Sequence, residues 1–138
     1  VDSTKKKIDF LISLKNEFKL KNLHPICSRF EDLPDNYKNF FDIAVSRAVA
    51  ELNVLTEYSI PFVKPGGYFV AYKSVKSQEE LKNAQNAIRK LDCVFTDKVE
   101  YSLPLKEDNK RVLLIFKKAK PTLLKYPRKN GLPKKNPL

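Results

Sequence analysis

Apolar residues Ile8, Leu11, Ile12 and Phe18 fall at i, i+3, i+4 and i+10, with Phe10 and Leu14 widening the stripe. That spacing predicts an amphipathic helix from Thr4 to about Leu20. Asp2 and Ser3 stand just ahead of it, where such residues cap a helix well. The stretch "NLHPICSRF" predicts a short strand around Ile26–Ser28, with Pro25 tolerable at its beginning or on an edge. "FFDIAVSRA" reads as a buried strand, followed at once by a second helix near "ELNVLTEYSI". Pro65, Gly66 and Gly67 mark a tight turn ahead of an aromatic and β-branched strand from Tyr68 to Tyr72. "SQEELKNAQNAIRKL" predicts a third helix, with Ser77 and Glu80 in capping-box spacing and Leu81, Ala84, Ile88 and Leu91 on one face. "CVFTDKVEYSL" and "KRVLLIFKKA" then read as two strands of an antiparallel hairpin around the loop "PLKEDN".

The predicted order is helix, strand, helix, strand, helix, strand, strand. Such alternation implies an α/β fold in which crossover helices join parallel strands, with the closing hairpin adding an antiparallel edge. At 138 residues the chain makes one domain at most, without internal repeats. The Pro-rich segment from Pro121 onward has no period and is expected to be extended, or ordered only on a partner.

Composition sharpens this picture. A hydrophobic share of 42%, with nine Phe and six Tyr, is that of a globular protein. No apolar run approaches the roughly 18 residues needed to span a bilayer, and no membrane partner is expected. Cys27 and Cys93 lack the paired spacing of a disulfide framework or zinc site. Both are expected to be small buried hydrophobes, in a reduced cytoplasmic setting and with no metal bound. His24, before a proline at a strand start, reads as structural or surface.

The charge of +11 is unevenly distributed. Eight basic residues and no acidic one lie between Lys117 and the end, leaving 19 bases and 16 acids before them. A segment of that kind attracts a polyanion, above all nucleic acid, through phosphate contacts and counterion release. A solvated, merely solubilising tail is the alternative.

Several stretches together resemble one family, the bacterial methyltransferases that modify N7 of a guanine in small-subunit ribosomal RNA, also called glucose-inhibited division protein B. They are "DS-KK--FL" at Asp2 to Leu11, "SRFED" at Ser28 to Asp32, "FDIAVSRAVAEL" at Phe41 to Leu52 and "VKPGG" at Val63 to Gly67. "LP" at Leu103–Pro104, "KRVLLIFKK" and the tail "KPTLLKYPRKNGLPKKNPL" follow in order. "SRA" and "PGG" are weak alone, whereas the tail with "FDIAVSRA" is specific. The resemblance implies the class I, Rossmann-like methyltransferase fold, with S-adenosylmethionine as cofactor. The implied partner is 16S ribosomal RNA or the small-subunit particle, bound by a monomer. Residues 1–119 would be the C-terminal part of the methyltransferase domain and 120–138 a basic tail.

On this resemblance, Asp2 and Ser3 are expected near the cofactor ribose, since an acid ending a second strand commonly accepts ribose hydroxyls. A helix cap is the competing role for Asp2, and one residue can serve both. Phe30 and Glu31 are expected at the adenine, although a lone Phe at such a junction also reads as core. Arg47 ends its strand where parallel strands face the ligand crevice, with a structural ion pair as the alternative. Lys6, Lys7, Lys73 and Arg111 are expected to face RNA, together with Lys125, Arg128, Lys129, Lys134 and Lys135 of the tail. Tyr126 would stack on a base. The family's histidine after the arginine near the last strand is Val112 here, which withdraws any role that histidine carries. No catalytic acid or base is expected, because guanine N7 attacks through an in-plane lone pair and carries no proton; alignment supplies the rate.

The resemblance also implies a helical region, a first strand and a glycine-rich loop ahead of Asp2. None of the three glycines precedes that residue. The chain is therefore expected to be the C-terminal part of such an enzyme, with unpaired apolar strand edges and little activity alone. A non-catalytic RNA-binding protein that keeps the basic tail is the rival reading. A nucleotide-dependent oxidoreductase also fits Asp2, but "VKPGG", the hairpin and the tail argue against it.

Overall fold

The computed structural model describes residues 1–74, 77–102 and 110–138. The expected turn segment "PLKEDN" and the dipeptide Leu103–Pro104 lie outside the described residues. The chain divides into two compact units, Val1–Leu33 and Pro34–Leu138.

In the first unit the predicted helix forms as α1, Lys5–Glu17. Its first turn carries three lysines and no acid, an arrangement the helix dipole disfavours. Asp2 offsets this from just outside: its Oδ1 accepts the Thr4 N–H at 2.8 Å and its Oδ2 accepts Lys7 Nζ at 3.1 Å. The expected strand around Ile26–Ser28 contracts to a single parallel bridge between Asp2 and Cys27. Cys27 is exposed rather than buried, because no strand closes over it.

The second unit holds a four-stranded sheet in the order β1-β2-β4-β3, built from β1 (Phe41–Arg47), β2 (Val63–Ser74), β3 (Cys93–Ser102) and β4 (Lys110–Lys118). β1 and β2 are parallel, while β4 runs antiparallel to both β2 and β3. Three strands thus share one direction and the last opposes them. The turn expected at Pro65-Gly66-Gly67 is instead a bulge inside β2: the partner of Phe41 is Val63, but that of Ile43 is already Tyr68. Gly66 takes φ +84°, and a Cβ on Gly67 would lie 2.5 Å from the Asp42 carbonyl oxygen. The bulge needs glycine at both positions, for opposite reasons.

Strand alternation gives the sheet two unlike faces. Ala44, Phe69, Phe116 and Phe95 form one row across it, and Ser46, Ala71 and Leu114 the next. Against this face pack α2 (Leu52–Ser59), α3 (Ser77–Asn83) and α4 (Gln85–Lys90), through Leu52, Leu55, Ala84, Ile88 and Leu91. The predicted third helix is interrupted at Ala84, yet its apolar face remains in register with the core. The opposite face presents Ile43, Tyr68 and Val94 in one row and Val45, Val70 and Ile115 in the next. Ile43 is 58% exposed and Val45 67% exposed.

The tail departs most from expectation. Residues 120–138 fold back into this unit, ending in α5 (Leu132–Lys135). Tyr126 is buried in the core and Leu138 packs against it. Tyr126 therefore does not present its ring for base stacking, as the composition of the tail had implied.

Candidate cofactor and RNA-binding sites

Two extended segments of the first unit end side by side. The Asp2 N–H donates to the Ile26 carbonyl and the Ser28 N–H to the Asp2 carbonyl, each at 3.2 Å. This brings Asp2 and Ser3 beside Ser28, from which the chain passes into a 3-10 turn at Phe30–Asp32. Of the expected cofactor residues, four thus belong to one local structure. Ser3 is exposed, Phe30 half-buried and Glu31 buried. The Thr4 N–H, followed by Lys7, holds the Asp2 carboxyl below the usual carboxylate range. It is an ionised acceptor with free lone pairs, which is what a ribose diol requires. The cap position of α1 is Thr4, without a side-chain cap bond, so Asp2 acts one step outside the helix, where its bond to the Thr4 N–H fixes the entry to α1. Lys7 is tied to Asp2, and Lys6 is exposed.

In the second unit Arg47 lies opposite Tyr72, and Ser74 lies opposite Arg111. The carboxyl ends of β1 and β2 therefore meet the start of β4, with Arg47, Tyr72 and Arg111 on the face opposite α2, α3 and α4. Arg47 is exposed and has no ion pair among the described residues, so the buried structural pair considered for it does not form. Its cation is available at the sheet edge where ligands of this topology sit.

Lys73 projects to the helical face. Its Nζ donates to Glu80 Oε2 and, at 2.8 Å, to the Ala50 carbonyl. Glu80 Oε2 also accepts the Leu52 N–H at 2.9 Å. The Lys73–Glu80 pair thus joins the end of β2 to the start of α2 through the carboxylate, and to the connection that leaves Arg47 through the ammonium. The capping-box reading of Glu80 with Ser77 gives way, because long-range partners engage that carboxylate. The sequence signal for the clamp was only a Lys at a strand end and a Glu seven positions on. A hollow of about 310 Å³ beside it is lined by Glu51, Leu52, Asn53, Glu79, Glu80 and Asn83. Its carboxylates unsuit it to phosphate.

The tail cations form a second group that starts from the other end of the sheet, where β4 finishes. Arg128 is not available to RNA: its backbone N–H and Nε reach Glu57 Oε1 at 2.8 and 2.9 Å, and Nη2 reaches Oε2 at 2.7 Å. Glu57 is fully buried, so its charge requires this fork. Lys125, Lys129, Lys134 and Lys135 are exposed. Lys118, at the end of β4, is buried and donates to Asn39 Oδ1 at 2.7 Å and the Ile60 carbonyl at 2.9 Å. Burial lowers its pKa to about 8. The neighbouring Cys93 thiol is pushed up to about 12 by burial, consistent with an inert core residue. Among the described residues, no group of three or more metal-ligating side chains converges.

Residues 1–114 match the family model described as GidB, rRNA small subunit methyltransferase G. The chain belongs to that family. Among curated members, the ribosomal RNA small subunit methyltransferase G of Lysinibacillus sphaericus is 42% identical and that of Lactococcus lactis 44% identical, each aligned over the whole chain. The chain spans 58% of the length of both relatives. GidB membership accords with the fold seen in solved structures of low identity. A putative methyltransferase from Thermoplasma acidophilum aligns with TM-score 0.65 at 10% identity, covering 88% of this chain and 56% of that one. An rRNA methylase from Streptococcus thermophilus aligns with TM-score 0.58 at 12% identity, covering 86% and 71%. M. jannaschii TYW2 in complex with AdoMet aligns with TM-score 0.59 at 14% identity, covering 80% and 53%. These likenesses establish the class I methyltransferase fold, with β4 as its antiparallel last strand.

Proposed function

We propose that this protein takes part in methyl transfer from S-adenosylmethionine to N7 of a guanine in 16S ribosomal RNA, in the cytoplasm and as a monomer. The observation that carries the reading is the GidB match across residues 1–114. The ionised Asp2 carboxylate beside Ser28 fits a ribose diol, with Ser3, Phe30 and Glu31 next to it. When bound, the cofactor supplies an electrophilic methyl on a sulfonium.

The protein's own contribution is alignment and charge. Asp2 and Ser3 orient the ribose, and the half-buried Phe30 and buried Glu31 border the adenine. Arg47 offers an exposed cation at the sheet edge, with Arg111 on the same face of the sheet. Lys73, engaged by Glu80 and Ala50, acts by fixing the connection behind Arg47 rather than by reaching RNA. Guanine N7 needs no base to activate it, so no residue is assigned that role.

The test is transfer of labelled methyl from S-adenosylmethionine to 16S ribosomal RNA. It is run with this chain, and with a chimera supplying the part of the Lysinibacillus relative that the chain does not span. The expected result is label at N7 of one guanine in the chimera, mapped by cleavage at N7-methylguanine, and lost with Arg47→Ala. Label at another atom, or none from a folded chimera that binds the cofactor, overturns the reading.

A further inference from the structure

We infer that the buried Glu57 carboxylate is a positioning residue for RNA: it holds the basic tail as a preformed cationic surface instead of a flexible polycation. This rests on the reading above that RNA is the partner of the tail lysines. Glu57 lies in the last turn of α2, fully buried, and among the described residues its ion-pair partner is Arg128, 71 positions away. Arg128 in turn donates from Nη2 to the Asn136 carbonyl at 2.8 Å, tying the end of α5 to the same point. Lys38 Nζ holds the Leu124 carbonyl at 2.7 Å, while Thr122, Tyr126 and Pro133 are buried. The segment is therefore pinned along its length, and its exposed side chains include Lys120, Lys125, Lys129, Lys134 and Lys135. Asp35, paired with Lys38 and near enough to Lys129 to feel its charge, is an acid at this surface.

A disordered cationic tail binds any polyanion, adapting to it and losing conformational freedom in doing so. A pinned array has already lost that freedom and fits only phosphates in a matching arrangement. Glu57 thus converts charge into shape. Simple electrostatics makes the opposite prediction, and this separates the two. Replacing Glu57 by Gln removes a negative charge and frees Arg128, so on charge alone it tightens RNA binding. On positioning it weakens binding to folded RNA.

The experiment compares affinities of the full chain for a 16S ribosomal RNA transcript and for poly(U) in wild type, Glu57→Gln, Arg128→Lys and the quadruple replacement of Lys125, Lys129, Lys134 and Lys135 by Gln. Assays run where near-ultraviolet circular dichroism shows each variant folded. The quadruple variant tests the underlying reading: unchanged affinity for the transcript removes RNA from the tail, and this inference with it. If that variant loses binding, Glu57→Gln and Arg128→Lys are expected to weaken the transcript roughly tenfold, the scale of re-ordering a loosened segment, and to leave poly(U) unchanged. Transcript binding as tight as wild type, or an equal loss on both RNAs, overturns the inference while leaving the reading intact. Hydrogen exchange on the wild-type chain decides the case even if a variant unfolds. Tail amides must be protected before RNA is added, and protection appearing only with RNA overturns the proposal.

Discussion

The two faces of the four-stranded sheet are made of similar residues and treated differently. On one, Phe69 and Phe116 are fully buried and stack with ring centroids 5.7 Å apart beneath three helices. On the other, Ile43, Val45, Tyr68, Val94 and Val99 are all exposed, although they alternate with core residues along the same strands. Hydrophobicity alone does not make a core; apolar groups stabilise a fold only by the contact they find. A patch of this kind marks a surface suited to an apolar neighbour. The helical face is also where charge has been brought inside, since Glu57 and Lys118 are both fully buried. Each has specific partners: Arg128 for the first, the Asn39 and Ile60 oxygens for the second.

The largest contrast is expected from truncating one side chain on each face. Phe116→Ala should lower unfolding free energy by about 3–5 kcal/mol in urea titrations, from lost burial and the cavity left behind. Val45→Thr, on the bare face, should cost no more than about 0.5 kcal/mol. Equal costs would mean that the bare face is covered in solution. Gly67→Ala comes next: a Cβ meeting the Asp42 carbonyl oxygen at 2.5 Å forces β1 and β2 apart, at about 1–3 kcal/mol by the same assay.

Lys118 gives a pH signature on the covered face. Its folded pKa, about 8, lies below its ordinary 10.5, so the unfolded chain binds more protons between those values. Stability from this group therefore rises as pH increases from about 8 towards 10.5, by roughly 1–3 kcal/mol at most. Comparing wild type with Lys118→Gln across that window isolates the effect; parallel curves would dismiss it. The smallest effect is expected from Ile43→Thr with Val45→Thr. Stability should barely move, while sedimentation velocity should show any self-association of the chain diminished.

How much of this was legible depended on range. The 3.6-residue period gave α1, and it kept Leu81, Ala84, Ile88 and Leu91 on the core face despite the interruption at Ala84. Runs of apolar, aromatic and β-branched residues gave the four strands of the second unit, while the strand expected at Ile26–Ser28 contracted to one bridge. "FDIAVSR" could not reveal that Phe41, Ile43 and Val45 stay exposed: alternation says which residues share a face, not what covers it. Pro65 and two glycines look like a turn, and only pairing with β1 makes them a bulge. The tail was misleading for the same reason. Lys, Arg and Pro predict an extended polar segment, while Tyr126 joins the core, Thr122 is buried and Leu138 packs partly buried against the core. For the candidate site, Asp2, Ser3, Phe30, Glu31 and Arg47 were named from family resemblance, and the structure adds the local bridge beside Asp2 and the exposure of Arg47. Glu80 and Glu57 were invisible as clamps, because their partners, Leu52, Lys73 and Arg128, do not follow from any local pattern.

The ion pair between positions 57 and 128 also has a meaning in time. A chain made from its N-terminus has α2 in hand long before Arg128 exists, so a carboxylate destined for burial waits with no cation to meet it. Burying it unpaired would be costly, and until then α2 is best left partly open to water. The second unit is thus completed only once residue 128 has been made. A release that is slowed or cut short after position 127 should yield a less compact product than the loss of the same number of residues from the other end of the chain. Protease sensitivity of the two truncated chains would show it.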